Sequence, residues 1–488
     1  DLHSFPTRRS SDLTNDTTRL FENDEAFVRA LGRARRLEGE YAAWEPKAMG
    51  SGAGLLGYLR FDDDATLELE RLFNYVSRRA DEDTRVGKYQ DLKVQLRALI
   101  ARAGAASAWF APKLLALSDE TLDGWYADMP DLSLYRRAID KLRALKDHVL
   151  TPSEEALLAQ ASEMAAQPEA IFSMLNDTDM SFEDAVDSKG HRHAVTHGSY
   201  LPLMQSGDRA LRESAYHSIY GAYGRIKNTS AALLGSQTKQ LQFFAHARRY
   251  VDTLEAALAP TEVPVSVYQG LIDAVHKNVS TLHRYMELRR RVLGLDALRY
   301  WDLYVPLTKE DDRRYSFDEA CDLMLRALAP LGEDYLGVVR RAIDERWYDV
   351  YETPGKASGA YSSGGRGLTP LILLNYQGTL DDIFTLVHET GHSLHTHLAS
   401  EAQPGRYAQY EMFVAEVAST TNECLLLHYL LDNAQDTAER AHLLNHLCEQ
   451  FRGTLFRQTL FAEFERDVNE ASARGKGMGR WLDRKSVV

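Results

Sequence analysis

The clearest chemical potential in this 488-residue chain lies in the string His388-Glu389-Thr390-Gly391-His392. On a helix, histidines four apart project from one face, one turn apart. Neutral imidazoles so placed suit zinc, and a catalytic zinc takes three protein ligands and keeps one position for water. Glu389 points to the water side, where a carboxylate takes a proton from bound water and passes it to a leaving amine. The segment Phe413–Glu423 offers two carboxylates for the third ligand. Glu416 lies 24 residues after His392, on a stripe with Phe413 and Thr420, and Glu423 lies two turns further along the same face. A helix, a turn and an antiparallel second helix would carry either one back past the histidines. The geometry ranks Glu416 ahead of Glu423 as ligand and gives Glu423 a place behind an imidazole, accepting its N–H. His395, on nearly the same face as His392, either competes as a ligand or packs behind the site. His191, His193 and His197 alternate with no acidic or cysteine partner near them in sequence, and read as the polar face of a hairpin.

Most of the elements that must position these groups are helical by pattern. Thr379 caps the histidine helix with Asp382 three residues on, and Leu380, Ile383, Phe384, Val387, Gly391, Leu394 and Leu398 form its apolar side. Before it, residues 350–376 are rich in glycine and proline, and Leu371-Ile372-Leu373-Leu374 is too short for a helix. This predicts a glycine-rich loop feeding a short buried strand. Between Leu20 and Leu150 apolar residues recur at helical spacing, as in Leu92, Leu96, Leu99 and Ile100. Thr151-Pro152-Ser153-Glu154 starts a further helix. Around residues 181–200 the alternation of His191, His193 and Val195 and the turn signal Asp187-Ser188-Lys189-Gly190 predict a β-hairpin. Helix resumes near Asp208, with Arg212, Tyr216, Tyr220 and Tyr223 at helical spacing. No fixed-period repeat is present.

The composition narrows the function class. Hydrophobic residues make up 44% and charged residues 26%, as in a globular protein, and the formal net charge of −14 argues against a nucleic-acid or anionic-membrane partner. Cys321, Cys424 and Cys448 have no paired spacing, which points to a reducing, cytoplasmic setting. No run approaches the roughly 18 apolar residues of a membrane span. Residues 1–13 lack the apolar core of a secretory signal, and both they and residues 484–488 read as tails foreign to the fold. The expected domains are a helical one over 14–198, with the hairpin near its end, and a catalytic one over 199–483, incomplete at its C-terminus.

Beyond the histidine string, several segments carry a resemblance. They are Gly355-Lys356-Ala357-Ser358-Gly359-Ala360-Tyr361-Ser362, Leu374-Asn375-Tyr376, Glu416-Val417-Ala418-Ser419-Thr420, Leu282-His283-Arg284-Tyr285 and Arg248-Arg249-Tyr250. From about Thr18 to Leu482 the chain resembles the oligoendopeptidase F family, relatives of thimet oligopeptidase among the zincins. The resemblance implies a mainly α, clam-like body. A deep channel would separate a helical N-terminal lobe from a zincin-type catalytic lobe with a small β element, and would admit short peptides. It also implies one zinc held by His388, His392 and Glu416, Glu389 as general base, and Gly359, Ala360 and Tyr361 facing substrate. Glycines there would let the backbone approach a peptide closely. One departure stands out: the family's C-terminal stretch of histidine and tyrosines has no match after Phe464. Loss of an oxyanion donor costs roughly 10²–10³ in rate. Two alternatives follow: a truncated zinc- and peptide-binding protein with little catalysis, and a related zinc carboxypeptidase, for which no group gripping a chain terminus stands out.

Overall fold

The structure is a computed structural model that describes residues 13–308 and 313–476. The expected foreign tails lie outside these residues, save Leu13. Helices dominate, and the strands among the described residues are β1 (Ala185–Val186), β2 (Arg192–His193), β3 (Tyr348–Tyr351), β4 (Tyr361–Gly365) and β5 (Leu368–Tyr376). Three helices position the site: α1 (Gly52–Glu82), α2 (Leu380–Ala402) and α3 (Met412–Asn433). No helix among the described residues is long and apolar enough to cross a membrane.

The chain forms two compact units, Asp1–Lys146 with Asp312–Asn433, and Asp147–Asp311 with Ala434–Val488. This division differs from a single boundary at 198/199, because each unit is built from two separate stretches. In the first unit the N-terminal helices recruit a strand from far along the chain. Phe27, Leu55, Leu72, Leu96 and Leu99 share one core with Leu368 and Leu371 of β5. Of the predicted stripe, Leu96 and Leu99 are buried, whereas Ile100 is 36% exposed.

The sheet of this unit has the order β3-β5-β4, with β3 parallel and β4 antiparallel to β5. Residues Leu371–Leu374 of the central strand are all buried, as a strand covered on both faces requires. Pro370 is tolerated there because the register shifts between Ser363 and Gly365 of its partner strand. Where the sequence predicts only loop before Leu371, the structure places two further strands. In Tyr-Ser-Ser-Gly-Gly only the tyrosine favours β structure, and the pairing Tyr361↔Leu373, Ser362↔Ile372 and Ser363↔Leu371 imposes it on the rest.

Alternation along β4 shows what covers each face. The Tyr361 hydroxyl donates to Asp81 of α1 at 2.5 Å, and an added Cβ at Gly365 would come within 2.8 Å of Glu70 of α1. Ser362 meets Ser393 of α2 through their hydroxyls, 2.7 Å apart, and Gly364 abuts Thr396 of α2. Odd positions therefore face α1 and even ones α2, so the sheet is a layer between these two helices.

In the second unit, β1 and β2 form the predicted hairpin, Ala185 opposite His193, closed by Gly190 at φ +85°. Asp208 caps the helix Arg209–Arg225, whose Arg212 is buried at 3.0 Å from the fully buried Asp302. The hairpin histidines do have an acidic partner near in sequence: the Asp187 carboxylate lies 3.0 Å from the His191 ring and 3.2 Å from that of His193. His197 meets the Tyr223 hydroxyl instead, at 3.0 Å.

Candidate metal centre

Thr379 and Asp382 form the predicted capping box of α2, with Asp382 N–H to Thr379 Oγ1 at 3.1 Å and Thr379 N–H to Asp382 Oδ2 at 2.8 Å. From that start the helical period fixes what each position faces. Ile383, Phe384, Val387, Gly391 and Leu394 are buried, while Leu398, the last residue of the expected stripe, is 41% exposed. His388 and His392 emerge on the neighbouring face, their Nε2 atoms 3.1 Å apart.

Helix α3 crosses α2 at Gly391. A Cβ there would stand 2.7 Å from Ser419 Cα, so only glycine permits this approach. The close crossing brings Glu416 Oε2 to 3.4 Å from both Nε2 atoms. Among the described residues these three are the group able to hold a metal ion, with ligand atoms all within 4.8 Å of one another. The donor set fits zinc, since a point roughly 2 Å from all three atoms exists, the length of its bonds to nitrogen and oxygen. The buried Ser419 hydroxyl donates to Glu416 Oε2 at 2.7 Å and steers that carboxylate. Sequence reading missed Ser419, although its place one turn after Glu416 was a usable signal.

Glu423 Oε1 lies 2.5 Å from His388 Nδ1. An Nδ1–H donating to this carboxylate leaves the Nε2 lone pair toward the ligand cluster. Burial disfavours a charged His388, but the Glu423 hydrogen bond and the carboxylates of Glu423, Glu389 and Glu416 outweigh it and raise its pKa. For His392, burial and the neighbouring His388 prevail and lower the pKa. His395 turns away, its ring stacked on Tyr410 with centroids 3.5 Å apart, and burial lowers its pKa.

Glu389 is 7% exposed. Burial lifts its carboxyl above the usual range and Glu416 adds to this, whereas His388 and the nearby Ser362 main-chain N–H work the other way. Ser362 of the edge strand β4 thus lies beside this carboxylate, and its hydroxyl meets Ser393, one turn further along α2. Just before β4, Gly359 adopts φ +82°, and Asn375 Nδ2 holds the loop by donating to Ala357 O at 2.9 Å and Gly359 O at 2.8 Å. Gly359 is exposed and Ala360 half-buried. The Tyr361 side chain, expected to face substrate, is instead committed to α1: Asp81 takes its hydroxyl and the Arg78 guanidinium lies 3.6 Å from its ring centroid. What this stretch leaves open is main chain.

Comparison with known proteins points one way. A family model described as Peptidase family M3 matches residues 202–483, and one described as Oligopeptidase F matches residues 113–182. Oligopeptidase PepF of Bacillus subtilis (strain 168) is 39% identical over 471 residues, covering 96% of this chain and 70% of that protein. Group B oligopeptidase PepB of Streptococcus agalactiae is 39% identical over 461 residues, 94% of this chain and 76% of that one. Among solved structures, a putative peptidase from Chlamydophila abortus superposes with a TM-score of 0.83 at 33% identity, over 97% of this chain and 80% of that one. Oligoendopeptidase-F from Enterococcus faecium gives 0.70 at 32% identity, over 94% and 77%.

Proposed function

The chain belongs to peptidase family M3, with the oligopeptidase F proteins, and is thereby a metallo-oligopeptidase; from that premise we propose that it is a zinc-dependent endopeptidase cutting internal bonds of short peptides. One observation carries the zinc site: ligand atoms of His388, His392 and Glu416 converge from two helices, with Glu423 fixing the tautomer of His388. When bound, zinc supplies Lewis acidity to water and to the scissile carbonyl.

The rest is done by the chain's own residues. An extended substrate pairs with the open edge of β4 through main-chain hydrogen bonds, with Gly359 and Ala360 giving it close access. Glu389 takes a proton from the attacking water and delivers it to the leaving nitrogen as the C–N bond breaks. Its raised pKa suits the first task, because a weaker carboxylic acid is a stronger base. The three cysteines, none in a disulfide, support a cytoplasmic setting, which cell fractionation tests.

Glu389→Gln tests this reading. Stoichiometric zinc by elemental analysis with a fall of roughly 10²–10⁴ in cleavage of an internally quenched peptide is expected. Wild-type turnover by the zinc-loaded variant sinks it. Product masses separate internal cleavage from release of single C-terminal residues, the signature of a carboxypeptidase.

A further inference from the structure

Alongside β4 lies a cavity of about 600 Å³, lined by Ser362–Gly365, by Leu69, Glu70 and Phe73 among others of α1, by Thr396 of α2 and by Tyr410. Since α1 and α2 cover opposite faces of the sheet, a space bounded by both and by β4 itself sits at the strand's open edge. It begins at Ser362, beside Glu389, and extends to Gly365, roughly 10 Å along the strand. A peptide paired with β4 therefore passes it.

The walls are mainly apolar, from Leu69, Phe73, Ile100 and Tyr410, and the one charged lining group is Glu70. Its Oε1 accepts a hydrogen bond from Gln409 at 2.6 Å, and its Oε2 faces Gly365. Among the described residues no cation is paired with it. Arg366, the nearest candidate in sequence to Gly365, crowds Gly405 instead. Burial lifts the Glu70 carboxyl above its ordinary range, partly offset by Gln409. A half-buried carboxylate at the end of an apolar slot matches a group with an aliphatic stem and a cationic head.

We propose that Glu70 is a specificity-determining residue that takes a positively charged group of the peptide, two or three residues to the N-terminal side of the scissile bond. The side of the bond follows from antiparallel pairing, in which the step from Ser362 to Gly365 runs toward the substrate's N-terminus. A lysine or arginine side chain or a free α-amine supplies the charge. This rests on the endopeptidase reading above.

The test is a set of quenched peptides in which lysine replaces norleucine at each of three positions before and after the bond, each with free and acetylated N-termini. Wild-type enzyme is expected to prefer lysine about tenfold in kcat/KM at one of the second or third positions before the bond, the scale of a charged hydrogen bond. In Glu70→Gln the ratio falls to about one, and in Glu70→Lys a glutamate at that position becomes preferred. An effect of acetylation in place of the lysine effect assigns the slot to the peptide's amine. Equal rates for all peptides in wild-type enzyme, or a preference surviving in Glu70→Gln, overturns the proposal. Affinities of the same peptides for zinc-loaded Glu389→Gln, with and without Glu70→Gln, by fluorescence anisotropy read the same ratio without turnover. Cleavage of none of the peptides thus refutes the peptidase reading alone, and the binding ratio still decides the role of Glu70.

Discussion

Two clusters of charge sit within the first unit and are built on opposite terms. Beneath the sheet, Lys356 and Asp349 pair at 3.1 Å with side chains 1% and 10% exposed, and Lys356 also donates to the carbonyls of Asp349 and Tyr351. At the α2–α3 crossing, two imidazoles and a carboxylate turn their donor atoms to a common point instead of to separate partners. The first cluster neutralises itself and holds a loop to a strand. The second concentrates electron pairs, which a divalent cation relieves. The first pair is buried, whereas Glu416 of the second cluster is exposed and its imidazoles only half-buried, so convergence of lone pairs, more than burial, marks the chemistry.

That contrast can be broken by substitution. His392→Ala is expected to abolish stoichiometric zinc and peptide cleavage while leaving the urea midpoint of the zinc-free protein close to wild type, as elemental analysis and urea titration read out. Lys356→Met should do the reverse. It strands Asp349 and lowers stability by about 3 kcal/mol in urea titration, with zinc content unchanged in the folded protein. If Lys356→Met empties the metal site without destabilising the fold, the two clusters are not separable. Gly391→Ala should affect both properties, since its methyl group meets Ser419 Cα. A loss of about 1–3 kcal/mol is expected together with weaker zinc retention against a chelator. Glu423→Gln sharpens the comparison within the site. It keeps a hydrogen-bonding group beside His388 but removes the charge, and roughly 10- to 100-fold weaker zinc binding in competition titration is expected.

The smallest effect concerns a third charge. The carboxyl of Asp24, despite its burial, is held at about 2 by Lys88, Tyr75 and Tyr89. A folded pKa below the ordinary 3.8 contributes stability that is complete above about pH 4 and disappears as pH falls toward 2. The melting temperature of Asp24→Asn should therefore fall less steeply than that of wild type over that window.

How much of this was legible in the sequence depended on the separation of the partners. His388 and His392 are four apart and Glu416 follows on the next helix, so the helical period alone aligned them. The role of Glu423 came from the same reasoning. The reach of Tyr361 was invisible, because its partner Asp81 is 280 residues away and no local pattern spans that interval. Strand β4 was missed for a related reason: its serines and glycines carry no β preference, and Leu371–Leu373 supply the order. The Asp187 partner of His191 and His193 lay close by but outside their alternation, and only the hairpin turn brings it round. The division near Lys146 also eluded pattern reading, since helical periodicity continues across it while the core it serves changes.

Ser362 links two properties that are usually set apart. Its hydroxyl meets Ser393 of the helix that carries Glu389, and its strand is an edge of the sheet. On the proposed reading, a peptide laid along β4 would be measured from a point fixed to that helix. Sliding by one residue along β4 would turn every side chain to the opposite face while the cutting position stayed in place. Where a chain is cut would then be decided by which of its registers the flanking walls accept, before any bond is strained.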